Sequence, residues 1–199
     1  EKIMEENKVT YGLENVHYAV ITAEKKGKIE YATPKPIPGG VEISLEPKGE
    51  IFAIKADNID FYKTESNEGY EGTLKVVNLP EAFKQEVLGE KVEGGLTSEY
   101  SNAAKNSFAL LFQFEGDAHA TRHVLYNCTA KRPKVTSTTK DGNNYNTDEL
   151  SFSASPRSTD KVVKRKTNKD TPTETYNKWF EKVPEIEASV SSAQSLTGR

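Results

Sequence analysis

Any chemistry in this 199-residue chain would have to come from three histidines, one cysteine and a surplus of carboxylates. His119 and His123 stand four apart in Asp117-Ala-His119-Ala-Thr-Arg-His123. On a helix that spacing puts two imidazoles on one face, where they could hold a divalent metal. The segment does not read as a helix. It follows Gly116 between two strand-like runs, and Ala120 stands where a zinc hydrolase would carry its glutamate. The expectation is a turn without metal.

Cys128 would need a base and an electropositive setting to act as a nucleophile. Only Arg122 and Arg132 are near it, and only in sequence, so a buried structural thiol facing the core with Val124 and Tyr126 is expected. The 30 Asp and Glu residues offer many acid–base pairs, none singled out by spacing. No glycine-rich phosphate loop, Gly-x-Ser-x-Gly elbow or Ser-x-x-Lys motif occurs. Lys164-Arg165-Lys166 could meet phosphate but reads equally as an exposed strand face. Trp179 and Phe180 could stack a base or sugar, or form a docking face. The residues therefore point away from an enzyme and away from any cofactor or metal.

The elements that would position these residues are mostly strands. Val41, Ile43 and Leu45 alternate with Glu42, Ser44 and Glu46, giving one apolar and one acidic face. Segments 17–23 and 28–33 flank a turn at Gly27, residues 51–56 follow the breakers Pro47 and Gly49, and 70–77 alternate with Leu74 and Val76 on one face. Segment 107–116 is the most apolar: Phe108, Leu110, Phe112 and Phe114 share one side, Ala109 and Leu111 the other, as in a central strand. It should form a hairpin with 123–132. Leu150, Phe152 and Ala154 alternate inward in 149–156, and 161–167 reads as a charged edge strand.

Two short helices break the pattern. One, about 80–88, has Pro80 at its first position, Gly89 as its stop, and Phe83 and Val87 on one face. The other carries Tyr176, Trp179, Phe180 and Val183 at helical spacing before Pro184. Residues 57–70 read as a long polar loop bearing Phe61, Tyr62 and Tyr70. Asp141-Gly142-Asn143-Asn144 is a turn signal within a second loop, 133–148. Residues after Pro184 are poor in core material, as in an arm or tail.

Composition sets the outer bounds. Hydrophobic residues are 35% and charged residues 29%, enough for one modest core with extensions. No apolar run approaches the roughly 18–20 residues that span a bilayer. A single cysteine excludes an internal disulfide framework. With a charged opening segment and no signal-peptide pattern, a cytoplasmic origin is expected. The first hundred residues carry 12 basic and 19 acidic side chains and the remainder 15 and 11. The halves could therefore attract one another between copies, or simply be solvated within one fold.

Taken in order, segments 7–22, 32–50, 71–89, 109–133, 149–156 and 176–183 resemble the major tail proteins of long, non-contractile-tailed bacteriophages, the phi13-type major tail protein family. The resemblance covers most of residues 7–183 and rests on the order and spacing of these segments. It implies a mainly β fold, a β-sandwich or barrel-like tail-tube domain over 14–170 with one flanking short α-helix and a long loop. An N-terminal arm would occupy 1–13 and a C-terminal helix, arm and tail 171–199. It further implies six-fold rings stacked head to tail into a hollow tube that passes double-stranded DNA to the host. Partners would be the subunit itself, tail-tip or baseplate proteins, a tape-measure protein and a terminator, in a virion tail assembled in the host cytoplasm without membrane insertion.

A DNA-conducting wall should not be basic, so Glu42, Ser44 and Glu46 are candidates for the lumen, with an outward solvent face as the alternative. Phe61, Tyr62 and Tyr70, and Tyr176, Trp179 and Phe180, are the candidate subunit-interface residues. The competing readings are a β-sandwich module binding carbohydrate or protein, and a tube protein of a contractile tail or type VI-like system.

Overall fold

The period-two segments become one large antiparallel sheet in the computed structural model, which describes residues 7–25, 27–56, 59–135 and 146–186, without the side chains of 51–65. The Asp141–Asn144 turn signal, the arm residues 1–6 and the tail residues 187–199 lie outside the described residues.

The strands are β1 (Thr10–Lys25), β2 (Lys28–Tyr31), β3 (Lys35–Pro36), β4 (Gly40–Lys48), β5 (Ile51–Ala56), β6 (Ile59–Glu65), β7 (Gly69–Val76), β8 (Lys91–Glu93), β9 (Leu96–Ser98), β10 (Phe108–Gly116), β11 (Thr121–Ala130), β12 (Asp148–Ala154) and β13 (Lys164–Lys166). The main sheet runs β2-β1-β10-β11-β12-β7-β4, with β3 paired to β1 and β13 to β11; β5–β6 and β8–β9 are separate hairpins. β1 begins at Thr10 opposite Gly116, so residues 10–13, read from sequence as arm, belong to the sheet.

β10 is central, as its two apolar faces require. Phe108, Leu110 and Phe112 enter a first core with Leu74, Val76, Leu150, Phe152 and Ala154, while Ala109 and Leu111 enter a second. Burying each large side chain stabilises the fold by about 1.5–3 kcal/mol. Gly72 lies opposite Phe152, and a Cβ there would sit 2.3 Å from the ring, so the glycine makes room for the aromatic.

The two layers expected of a sandwich are two ends of this one sheet folded over each other. A Cβ at Gly40 would stand 3.0 Å from Val16 and 3.3 Å from Leu13, which brings β4, one edge of the sheet, against β1. No ladder joins them among the described residues, so the barrel stays open along this seam.

The first helix is short: α1 (Glu81–Phe83) continues as a π turn through Lys84–Leu88. Pro80 precedes it as the N-cap, one place earlier than its spacing suggested, and Gly89 stops it at φ +77°. Phe83 meets Tyr18 and Phe108 edge-on at 4.9 and 5.4 Å. Leu79 N–H donates to Asp148 Oδ2 at 2.8 Å, fastening the entry to β12.

The C-terminal α2 (Thr173–Asn177) and the turns after it cover the opposite side of β1, β10 and β11. Trp179 and Val183 join Ala19, Ala109, Leu111, Val124 and Tyr126 in the second core. Cys128 is fully buried, but in the first core, whereas Val124 and Tyr126 are in the second. The cause is a bulge in β11: Phe108 pairs with Cys128 and Leu110 with Leu125, so one extra residue switches the face.

Candidate assembly interface

The three lumen candidates sit on one face of β4. Register puts Glu42 opposite Lys75, Ser44 opposite Thr73 and Glu46 opposite Glu71. Across β7, Lys75, Thr73 and Glu71 stand opposite Glu149, Ser151 and Ser153 of β12. The result is a polar surface three strands wide, with four carboxylates and the two ammonium groups of Lys48 and Lys75, whose reverse side is the first core. Lys75 Nζ meets Glu42 Oε2 at 2.8 Å, which raises the lysine's pKa through that hydrogen bond. Glu46 and Glu71 face each other as like charges, and Lys48 Nζ approaches Glu71 at 3.4 Å. The partners on β7 and β12 were not singled out in the sequence. Their alternation was visible, but only the pairing places them beside β4.

The segment read as a loop is mostly a hairpin. β5 pairs with β6 from Ile51–Glu65 to Ala56–Ile59. Glu68 N–H donates to Lys48 O at 2.8 Å and Ser66 N–H to Glu50 O at 3.0 Å, so the ribbon continues the β4–β7 ladder. Phe61 and Tyr62 lie on β6, and their side chains are outside the described ones. Tyr70 is on β7, half-buried against the first core, with the Lys164 ammonium 4.7 Å above its ring.

The C-terminal candidates divide. Trp179 is 4% exposed and its indole N–H points to His123 O at 3.3 Å, so this ring is part of the subunit's own core. Tyr176 and Phe180 are half-buried. The Arg122 guanidinium lies 3.8 Å over Tyr176 and 5.1 Å from Phe180, and His17 packs on Phe180 at 4.8 Å. Tyr176 OH donates to Ala120 O at 2.9 Å.

A buried arginine locks the end of the segment. Arg157 binds Asp160 and Glu185 and stacks 4.1 Å from the Tyr126 ring, whose hydroxyl donates to Pro184 O. Burial alone would lower the Arg157 pKa; its hydrogen bonds to both carboxylates more than reverse this. The Arg157 hydrogen bond in turn holds Asp160 below the usual carboxylate range. Arg165 contacts the same two carboxylates, so Lys164-Arg165-Lys166 is not one free basic face. None of this network was foreseen, because Arg157, Asp160 and Glu185 form no recognisable motif.

Two exposed apolar features also escaped the sequence reading. The open seam is a cleft of about 320 Å³ lined by Tyr11, Leu13, Val41, Ile43 and Phe114. β4 has no strand on its outer edge among the described residues, and Val41 there is 44% exposed. The β8–β9 hairpin presents Val92 and Leu96 to solvent. Short strands of this kind carry little periodicity.

Among the described residues no group of three or more His, Cys, Asp or Glu is placed to hold a metal, and burial pushes the Cys128 thiol pKa far up. No helix among them is long and apolar enough to cross a membrane.

The model of the family described as phage tail tube protein matches residues 2–196. The chain belongs to the phage tail tube protein family, a structural family, which implies a non-enzymatic role in a virion tail. Among solved structures the chain is similar to a chain of the tube-terminating cap of the anti-feeding prophage (9% identity, TM-score 0.48, covering 82% of this chain and 96% of that one). It is also similar to a chain of the six-fold symmetrised baseplate of that particle (11% identity, TM-score 0.48, covering 84% and 99%). No curated protein sequence matches it.

Proposed function

We propose that this chain is the major tube subunit of a long, non-contractile phage tail. Six copies form a ring, rings stack head to tail, and double-stranded DNA passes through the channel. The observation that carries this reading is the contrast between the two ends of one sheet. The outer side of β1, β10 and β11 is sealed by the C-terminal segment, whereas that of β4, β7 and β12 is uncovered among the described residues, polar and acidic. A conduit for polyphosphate needs such a wall, since a basic one would retain DNA through counterion release. The edge of β4, which no strand among the described residues pairs, lets this wall extend from one subunit to the next by strand pairing.

The β5–β6 ribbon, with Phe61 and Tyr62, is the proposed contact with the next ring, and Tyr70 stands at its base. Tyr176 and Phe180 present their outer edges at the sealed side. Trp179 acts through them by holding the segment in place. Head-to-tail contacts are heterologous, the arrangement that yields filaments. Tail-tip, tape-measure and terminator proteins would set the start, length and end.

Two variants test the assignment in assembled tails. Glu42→Lys with Glu46→Lys should still give tubes of normal diameter but slow DNA release. Replacing residues 51–65 by a short Gly-Ser link should leave a folded monomer that forms no tubes. Normal tubes from the second variant would overturn the role given to the ribbon; unchanged release from the first would overturn the lumen assignment.

A further inference from the structure

The C-terminal segment covers the second core without joining the sheet. Its backbone N–H bonds stay within the segment or reach Pro172 O, and among the described residues no backbone–backbone bond ties it to β1, β10 or β11. Side chains alone fasten it there. Trp179 and Val183 enter the second core, Arg122 holds Tyr176 O, and Arg157 and Arg165 hold Glu185. The five-residue α2 contributes no buried side chain, and a helix of that length does not stand by itself in water.

The fastening at Glu185 has two unequal halves. The receiving half is built into the β12–β13 connection. Arg157, 4% exposed, grips Asp160 with two nitrogens, Nε on Oδ1 at 2.9 Å and Nη2 on Oδ2. Arg157 N–H donates to Val162 O and Lys161 N–H to Arg157 O, each at 3.0 Å, and Val162 N–H to Asp160 Oδ1 at 3.2 Å. Lys161 sits inside this loop at φ +62°, a left-handed conformation that a lysine keeps only where its surroundings enforce it. The incoming half is the Glu185 carboxylate, 39% exposed, with Oε1 at 2.5 Å from Arg157 Nη1 and Oε2 at 3.5 Å from Arg165 Nη1.

This asymmetry decides what release costs. Breaking a buried ion pair is strongly unfavourable when it leaves a buried charge alone. Here Arg157 keeps Asp160 and its place over the Tyr126 ring after Glu185 leaves, and Glu185 returns to water from a half-exposed position. Glu185 also stands at the end of the segment away from its hinge. That hinge is the turn 168–171, which closes on itself: Asn168 N–H donates to Thr171 Oγ1 at 2.9 Å and Thr171 N–H to Asn168 O at 3.1 Å. Peeling therefore starts at Glu185.

We propose that residues 173–185 form a latched strap. Glu185 in the preformed Arg157–Asp160 clip keeps it shut. Its release lets the segment swing out about the turn 168–171 and uncovers the apolar face of β1, β10 and β11, with Ala109, Leu111 and Val124, while the sheet stays folded. The device belongs to the single chain and does not rest on the tube reading.

The test is amide hydrogen exchange of the unassembled full chain, read by mass spectrometry. Residues 173–185 should exchange together, about a hundredfold or more faster than β10. Glu185→Ala should speed that exchange by about tenfold, the effect of losing a charge-assisted hydrogen bond, and leave β10 and β12 unchanged. Glu181→Ala removes the same charge from an exposed position of the segment that has no ion pair among the described residues, and should change nothing. Trypsin gives a second readout: cleavage after Lys178 and Lys182 should rise with Glu185→Ala in the same proportion. Exchange of residues 173–185 at the rate of β10, or exchange indifferent to Glu185→Ala, overturns the proposal. A matching loss of protection in β10 overturns it too, since Glu185 would then support the whole fold. An equal effect of Glu181→Ala would reduce the latch to general charge and overturn it as well.

Discussion

Truncating Trp179 to alanine separates a core role from a subunit contact. The ring is 4% exposed among Ala19, Ala109, Leu111, Val124, Tyr126 and Val183. Removing a buried tryptophan costs about 3–5 kcal/mol, the removed atoms and the remaining void both contributing. Its N–H bond to His123 O is long at 3.3 Å, so most of that figure is packing. For a chain of this size each kcal/mol moves the thermal midpoint by about 2–4 °C, which gives a fall of roughly 6–20 °C. Trp179 is the sole tryptophan, so unfolding of the variant must be followed by far-ultraviolet circular dichroism rather than indole fluorescence. Trp179→Phe should recover much of the loss. A midpoint within about 2 °C of wild type, with tube formation abolished, would refute the packing argument and make the ring an intersubunit contact.

Three further outcomes follow from the same contacts. Gly72→Val forces a side chain into the Phe152 ring and should destabilise the monomer by about 1–3 kcal/mol in urea unfolding, with little change in the denaturant slope. Gly89→Ala places a Cβ 2.5 Å from Ala104 O at φ +77° and should cost about 1–3 kcal/mol, read as a lower thermal midpoint. Acid should weaken the fold through His123, because its folded pKa is depressed and the unfolded chain takes up the proton first. That stability is complete above pH 6.5 and is lost as pH falls toward about 4, amounting to roughly 3 kcal/mol at most. His123→Phe should flatten the stability profile across that window.

Faces were legible wherever one strand's alternation decided them. Leu150, Phe152 and Ala154 are inward as read, and the two-sided apolar pattern of 108–112 did mark the central strand. The misplaced features depend on pairing. Cys128 shares a face with Leu125 instead of Val124 because β11 bulges opposite β10, and no local pattern announces an extra residue. Residues 59–65 read as loop because their polarity hid the ladder with β5. The acidic face was half legible: Glu42, Ser44 and Glu46 alternate visibly, but Glu71 and Glu149 join them only through register. The spacing of Tyr176, Trp179 and Phe180 marked a packing face without saying against what. The answer lies more than fifty residues away, at Ala120, Arg122 and His123.

The most direct test of the tube assignment is cryo-electron microscopy of particles formed by the full chain, alone or in tails. Stacked six-fold rings around a central channel are expected, with β4 and β7 and their residues Glu42, Ser44, Glu46 and Glu71 lining it. Tubes with that face turned to the outside would contradict the lumen assignment. A protein that stays monomeric at every concentration and is absent from tails would contradict the tube subunit itself.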